Sequence, residues 1–179
     1  VSEYDPKYAI ARTGDETLLY LELHPCEDCG SIDIPWEHGL TDDDGELVIS
    51  YTGTCANCGA EREYLFGLPE QESVGPFPHF GGAEPSELID AGQWLGVADQ
   101  AAGSVPADED LDEEAAVVLR VARAAVEEVI KFVPAGAEIV PDEAFWTSEG
   151  RQLRDAEPGR FRLERLLVVR DSYSHTGAN

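Results

Sequence analysis

The segments HPCEDCG (residues 24–30) and TCANCG (residues 54–59) decide how this chain is read. Each holds two cysteines spaced C-x2-C, Cys26 with Cys29 and Cys55 with Cys58, and a glycine follows each pair. Two intervening residues let one tight turn aim both sulfurs at a single point, with backbone N–H groups facing them. Gly30 and Gly59 suit such turns because glycine takes positive φ without steric cost. Four soft thiolates match a tetrahedral divalent ion, zinc above all, and close its shell with no position left for chemistry. The 25 residues between the pairs exceed the common spacing of about 15–20, which a hairpin with a long excursion absorbs. The competing readings are two disulfides or free thiols, a rubredoxin-like iron site, and a redox-active C-x2-C. Neither pair opens a helix after a strand in a βαβ pattern, which disfavours redox chemistry.

Residues of about 17–68, with the knuckles Cys26-x2-Cys29-Gly30 and Cys55-x2-Cys58-Gly59, resemble a zinc ribbon. The resemblance implies a structural zinc held by Cys26, Cys29, Cys55 and Cys58, on neighbouring β-hairpins. It covers less than a third of the chain and is nearly silent about function, because zinc ribbons serve many machines.

Outward from the cysteines, strands are expected at 17–24, 31–35, 46–52 and 61–66, with Asp44-Gly45 as a hairpin turn. A Pro/Gly-rich linker follows at 75–82, and beyond it the apolar period becomes helical. One helix is expected from Pro85, carrying Leu88, Ile89, Trp94, Leu95 and Ala98, and broken at 103–106. The strongest helix runs from Asp110 to Val133, with an apolar stripe from Leu111 to Val133. Asp108 to Glu114 stand at its positive end, Lys131 near its negative end, and Pro134 stops it. A third is expected over 158–172, with a strand at 165–169 as the alternative. The fold class is therefore α+β: an antiparallel β zinc ribbon over 1–74, then a three-helix module over 75–179. Phe77 and Phe80 are expected to pin one onto the other in a single compact unit.

The net charge is −25 over 179 residues, and it is uneven. Residues 1–119 hold 27 acidic and 3 basic side chains; residues 120–179 hold 10 and 9. Such a field repels nucleic acid and anionic membranes and speeds encounter with basic partners. The competing reading is solubility alone, or a salty cytoplasm; ten Arg against two Lys fits a high-GC or halophilic genome. There is no apolar run of membrane-spanning length and no secretory signal, and the cysteine pairs suit a reducing cytoplasm. The chain has no Met, so Val1 is expected to follow an excised initiator.

Other constellations are weaker. Asp42-Asp43-Asp44-Gly45 fails as a calcium loop, because Leu40 and Tyr51 would occupy its first and last ligand positions. His24 and His38 lie near the knuckles, but four thiolates already fill the shell. Gly81-Gly82 lacks the preceding strand and the lysine of a phosphate cradle. No catalytic motif occurs, and nothing pairs the carboxylates into an acid/base couple, so no enzyme is expected. The arginines at 151, 154, 160, 162, 165 and 170, with Phe161 and Tyr173, offer a nucleic-acid patch or pair with the protein's own acids.

The expected function is non-catalytic: an acidic cytoplasmic binding protein that sequesters or inhibits a basic protein partner. In composition the chain is similar in style to immunity proteins of secreted bacterial toxins, which implies a toxin domain as partner. The expected contact residues are Asp42, Asp43, Asp44, Glu46, Glu61 and Glu63, with Asp108 to Glu114 second. The alternative is a zinc-ribbon accessory factor of nucleic-acid machinery.

Overall fold

The computed structural model describes residues 7–106 and 112–174. Its contacts divide the chain into two units, 1–74 and 75–179.

The first unit holds helix α1 (Gly14–Leu23) and strands β1 (Trp36–Asp43), β2 (Glu46–Thr54) and β3 (Glu61–Gly67). The strands form an antiparallel sheet in the order β1-β2-β3. Trp36 faces Gly53 and Asp43 faces Glu46 across one ladder; Thr54 faces Glu61 and Val48 faces Gly67 across the other. The β1–β2 turn is the one the sequence indicates. Asp44 (φ 54°) and Gly45 (φ 84°) are both left-handed, as a two-residue type I′ hairpin requires.

The expected strand at 17–24 is instead part of α1. Thr13 caps the helix by accepting the Glu16 N–H at 3.1 Å. The Glu16 carboxylate turns back to accept from the Arg12 N–H at 2.9 Å and from the Arg12 guanidinium at 2.6 Å. Leu19, Leu21 and Leu23 alternate like a strand, but leucine and glutamate are strong helix formers and the cap settles the contest. Tyr20 then lies edge-on to Tyr64 and Phe66, with ring centroids 5.7 and 5.4 Å apart. The segment at 31–35 forms no strand, and its Ile34 N–H turns back to the Ile32 carbonyl at 2.9 Å, so the first knuckle follows a helix rather than sitting on a β-hairpin.

Cross-strand neighbours share a face of the sheet. One face carries Trp36, His38, Tyr51, Tyr64 and Phe66, and α1 meets its aromatic rings. The other carries the row Glu37, Thr52 and Glu63, all exposed.

The second unit holds α2 (Ala91–Gly103), α3 (Glu113–Lys131), α4 (Ser148–Ala156) and α5 (Leu163–Ser172), with 3-10 turns at Asp142–Ala144 and Pro158–Phe161. It thus has four α-helices among the described residues rather than the expected three. Helix α3 packs against α2 and α5, and α4 packs against α2. Trp94, Leu95, Val126, Val129, Phe161 and Leu166 are buried between them.

Helix α2 begins at Ala91, not near Pro85. Ser86 holds the Leu88 and Ile89 N–H groups in a turn, and Asp90 makes a capping box with Gln93. Helix α4 escaped notice because its few apolar positions leave no stripe; its signal is the Thr147 cap, which accepts the Gly150 N–H. Asp112 caps α3. Asp108, Glu109, Asp110 and Leu111 lie outside the described residues. Phe80 is buried against Trp94 within this unit, at 4.9 Å between rings, whereas Phe77 is exposed. No described helix is long and apolar enough to cross a membrane.

Candidate metal centre

The two knuckles repeat one backbone design. The Gly30 N–H donates to the Cys26 carbonyl at 2.7 Å, and the Gly59 N–H to the Cys55 carbonyl at 2.8 Å. The Cys26 N–H donates to Ser31 and the Cys55 N–H to Ala60, each at 2.9 Å. Both glycines are left-handed, with φ 73° and 77°. A further bond, from the Ala56 N–H to the Asp33 carbonyl at 2.9 Å, ties the second knuckle to the segment that follows the first. The second knuckle is the connection between β2 and β3; the first stands between α1 and β1.

This places all four sulfurs within 4.8 Å of one another. Cys26 approaches Cys58, and Cys29 approaches Cys55, each at 3.6 Å. Sulfurs about 2.3 Å from one tetrahedral ion stand about 3.8 Å apart, whereas a disulfide brings them to about 2.0 Å. The spacing fits a shared ion and excludes a disulfide. Cys26 and Cys55 are buried with Ile34, and Trp36 and Ala60 pack on them; Cys29 and Cys58 face solvent. The four cysteines can hold a metal ion such as zinc.

Electrostatics favour a cation at this point. Burial pushes the Cys26 thiol up, but the Asp28 and Cys29 N–H groups and the neighbouring thiols outweigh it and hold it near about 6. The Asn57 side chain and the Ser31 N–H lower Cys29. The Ala60 N–H lowers Cys58, yet the three surrounding thiols and burial prevail and push it up to about 12. Four thiolates repel one another without a cation between them. Metal binding must expel the remaining protons, so affinity rises with pH.

Arg62 completes the surroundings. Its Nη2 lies 3.3 Å from the Cys26 sulfur and 3.2 Å from an Asp28 carboxylate oxygen. Contact with the Cys26 sulfur raises the Arg62 pKa, the expected mark of a cation offsetting thiolate charge. Partners of this kind tune metal affinity about 10–100-fold. Arg62→Ala is therefore expected to weaken metal binding by that factor, measured by competition with a chelating dye, while Arg123→Ala, on α3, leaves it unchanged. Sequence reading passed over Arg62; its signal was a lone arginine between Glu61 and Glu63 on the strand leaving the second knuckle. His24 and His38 stay outside the sulfur group, stacked on Tyr20 and Tyr51.

No family model, curated protein or solved structure matches this chain.

The expected contact acids do not form one patch. Asp42, Asp43, Asp44 and Glu46 stand at the β1–β2 turn. There Asp42 accepts the Gly45 N–H at 3.1 Å, and Lys7 pairs with Asp43 at 2.6 Å and Asp44 at 3.3 Å. Tyr8 also donates to Asp43. Lys7 and Tyr8 lower the Asp43 pKa, keeping it ionised but engaged. Glu61 and Glu63 stand at the opposite end of the sheet. With Glu37, Trp36, Thr52 and Arg62 they line an open cleft of about 660 Å³. Asp42 lies five positions along β1 from Glu37, about 17 Å at strand rise. Glu37 was missed because only strand register brings it beside Glu63, across Thr52.

The arginines of the second unit are mostly engaged. Arg160 grips Asp99 through both terminal nitrogens, at 2.9 and 2.5 Å. Arg154 pairs with Asp142 and Asp155, and Arg170 with Asp171. Arg151 donates to the Trp146 carbonyl at 2.7 Å.

Proposed function

We propose that this chain is a non-catalytic acidic binding protein, built around a structural zinc ion, that captures a basic protein partner. The zinc closes its own coordination shell with Cys26, Cys29, Cys55 and Cys58 and supplies rigidity rather than reactivity. The observation that carries the reading is the cleft beside that centre, where Glu37, Glu61 and Glu63 are exposed around Trp36. The cations of residues 1–74 support it by pairing with other groups: Lys7 with Asp43, Arg12 with Glu16, and Arg62, which also lines the cleft, with Cys26 and Asp28. The exposed carboxylates of the cleft then draw a cationic side chain. The acids at the hairpin turn, Asp42, Asp43, Asp44 and Glu46, extend the field. A secreted toxin domain with a positive groove is the form of partner that the likeness in style to immunity proteins brings forward, and inhibition is then simple occupation of that groove.

The ion pairs of Arg154, Arg160 and Arg170 weigh against the nucleic-acid reading, since they spend charge that a phosphate backbone needs. The test is capture from the protein's own cell lysate, beside a Glu37→Lys, Glu61→Lys, Glu63→Lys variant. The expected result is a basic protein held by the unaltered chain and lost by the variant with its metal intact. Capture that survives charge reversal contradicts the proposal, as does a salt-sensitive shift of RNA or DNA by the unaltered chain.

A further inference from the structure

Among the described residues, strand β1 is the edge of its sheet, with Lys7 and Tyr8 bonding only the Asp43 side chain at its end. It pairs only with β2, and no described residue hydrogen-bonds to its outer edge. Six consecutive residues, Glu37 to Asp42, are exposed. Proteins commonly blunt such an edge with charged side chains, lysine above all, or with proline, a bulge or a covering loop; on β1 the charges are all acidic, Glu37, Asp42 and Asp43. The β1 strand has no proline and no lysine, and its register against β2 runs unbroken from Trp36 to Asp43. Leu40 stands 64% exposed on it and Leu47 55% exposed on β2, on the face shared with Tyr51.

We propose that the outer edge of β1 is a docking site for an extended basic segment of another protein, which adds to the sheet as a fourth strand. The inference rests on the acidic binding reading and deepens it by naming the mode of contact. Backbone N–H and C=O groups of β1 supply affinity without regard to sequence, and alternate side chains supply choice. Residues of the added strand on one face lie beside Glu37 and Asp43 of β1, where arginine or lysine is favoured. Those on the other face lie beside Leu40, where an apolar side chain covers it.

Charge selects the occupant. A second copy of this chain, pairing antiparallel through β1, sets Glu37 against the Asp42 and Asp43 of its neighbour, and like charges across a strand pair repel. A basic strand meets the same row with attraction.

The probe is a labelled peptide that matches the eight residues of β1 in length and alternates arginine with valine. A second peptide carries N-methyl groups on alternate residues, so that its charge is kept and its ladder bonds are lost. Fluorescence anisotropy at physiological salt and amide hydrogen exchange of the whole protein are read together. The expected result is binding of the first peptide, at least about tenfold weaker binding of the N-methylated one, and slowed exchange at alternate amides of β1. Glu37→Lys is expected to weaken the first peptide by about tenfold with metal content unchanged. Equal binding of both peptides, with exchange in β1 unaffected, overturns strand addition while leaving the acidic binding reading in place. Absence of binding by either peptide, or self-association that slows exchange in β1, overturns it also; loss of lysate capture on charge reversal then decides the parent reading separately.

Discussion

Cys55→Ser is expected to abolish the fold of residues 7–74 rather than weaken it. In small zinc modules, metal binding and folding are one process, and the ion contributes about 10–16 kcal/mol at neutral pH. That is as large as the whole net stability of an ordinary domain, about 5–15 kcal/mol. The sheet here has three strands and one helix, and its best-buried cluster beside the sulfurs is small: Ile34 with Cys26 and Cys55. Without the ion the four thiols lose their common partner, and the segment at 24–35 is left tied to the β2–β3 connection by the Ala56 to Asp33 bond and the small cluster of Ile34 and Ala60 around the sulfurs. The measurement is circular dichroism with a thermal scan on the variant and on chelated wild type. Near-ultraviolet signals from Trp36, Tyr51 and Tyr64 should vanish, whereas the helical far-ultraviolet signal dominated by α2 to α5 should persist. Unchanged melting after complete metal removal contradicts this.

The second large effect is expected at Gly150. A Cβ there would lie 2.3 and 2.4 Å from the two carboxylate oxygens of Asp90, with no room for either to retreat. Asp90 is fully buried. It accepts from the Gln93 N–H at 2.8 Å and from the N–H and hydroxyl of Thr147, both at 2.7 Å. One carboxylate thus caps α2 and clamps the start of α4. Gly92 adds to the constraint, since its own Cβ would lie 2.3 Å from the Gly150 Cα. Gly150→Ala must push Asp90 off its donors or the helices apart. Leaving a buried carboxylate without partners costs about 3–5 kcal/mol. The urea midpoint should fall accordingly with little change in slope. Gly159→Ala, whose Cβ meets nothing within 4 Å, should leave the midpoint nearly where it was.

What could be read from the chain follows the range of the physics involved. The sulfur cluster was legible because C-x2-C and the following glycine fix the geometry within a few residues. The Asp44-Gly45 hairpin and α3 were legible for the same reason: a turn dipeptide and a 3.6-residue period are local signals. Helix α1 was misread because alternating leucines imitate a strand, while the deciding contacts are the Thr13 cap and the rings of β3. Helix α4 was missed because a polar helix has no stripe, although Thr147 was a usable cap.

The site divides in the same way. Its ligands were readable, but Arg62 and Glu37 become part of it only through strand register and side-chain reach. How the expected contact acids group is likewise a matter of register, which carries Asp42–Asp44 and the pair Glu61 and Glu63 to opposite ends of the sheet.

Sulfur convergence on one ion is the claim beneath all of this. X-ray absorption at the zinc edge of freshly purified protein tests it most directly. The expected spectrum is one zinc per chain in a shell of four sulfurs at about 2.3 Å. Metal-free protein with four freely titrating thiols, or an ion ringed by oxygen and nitrogen, contradicts it.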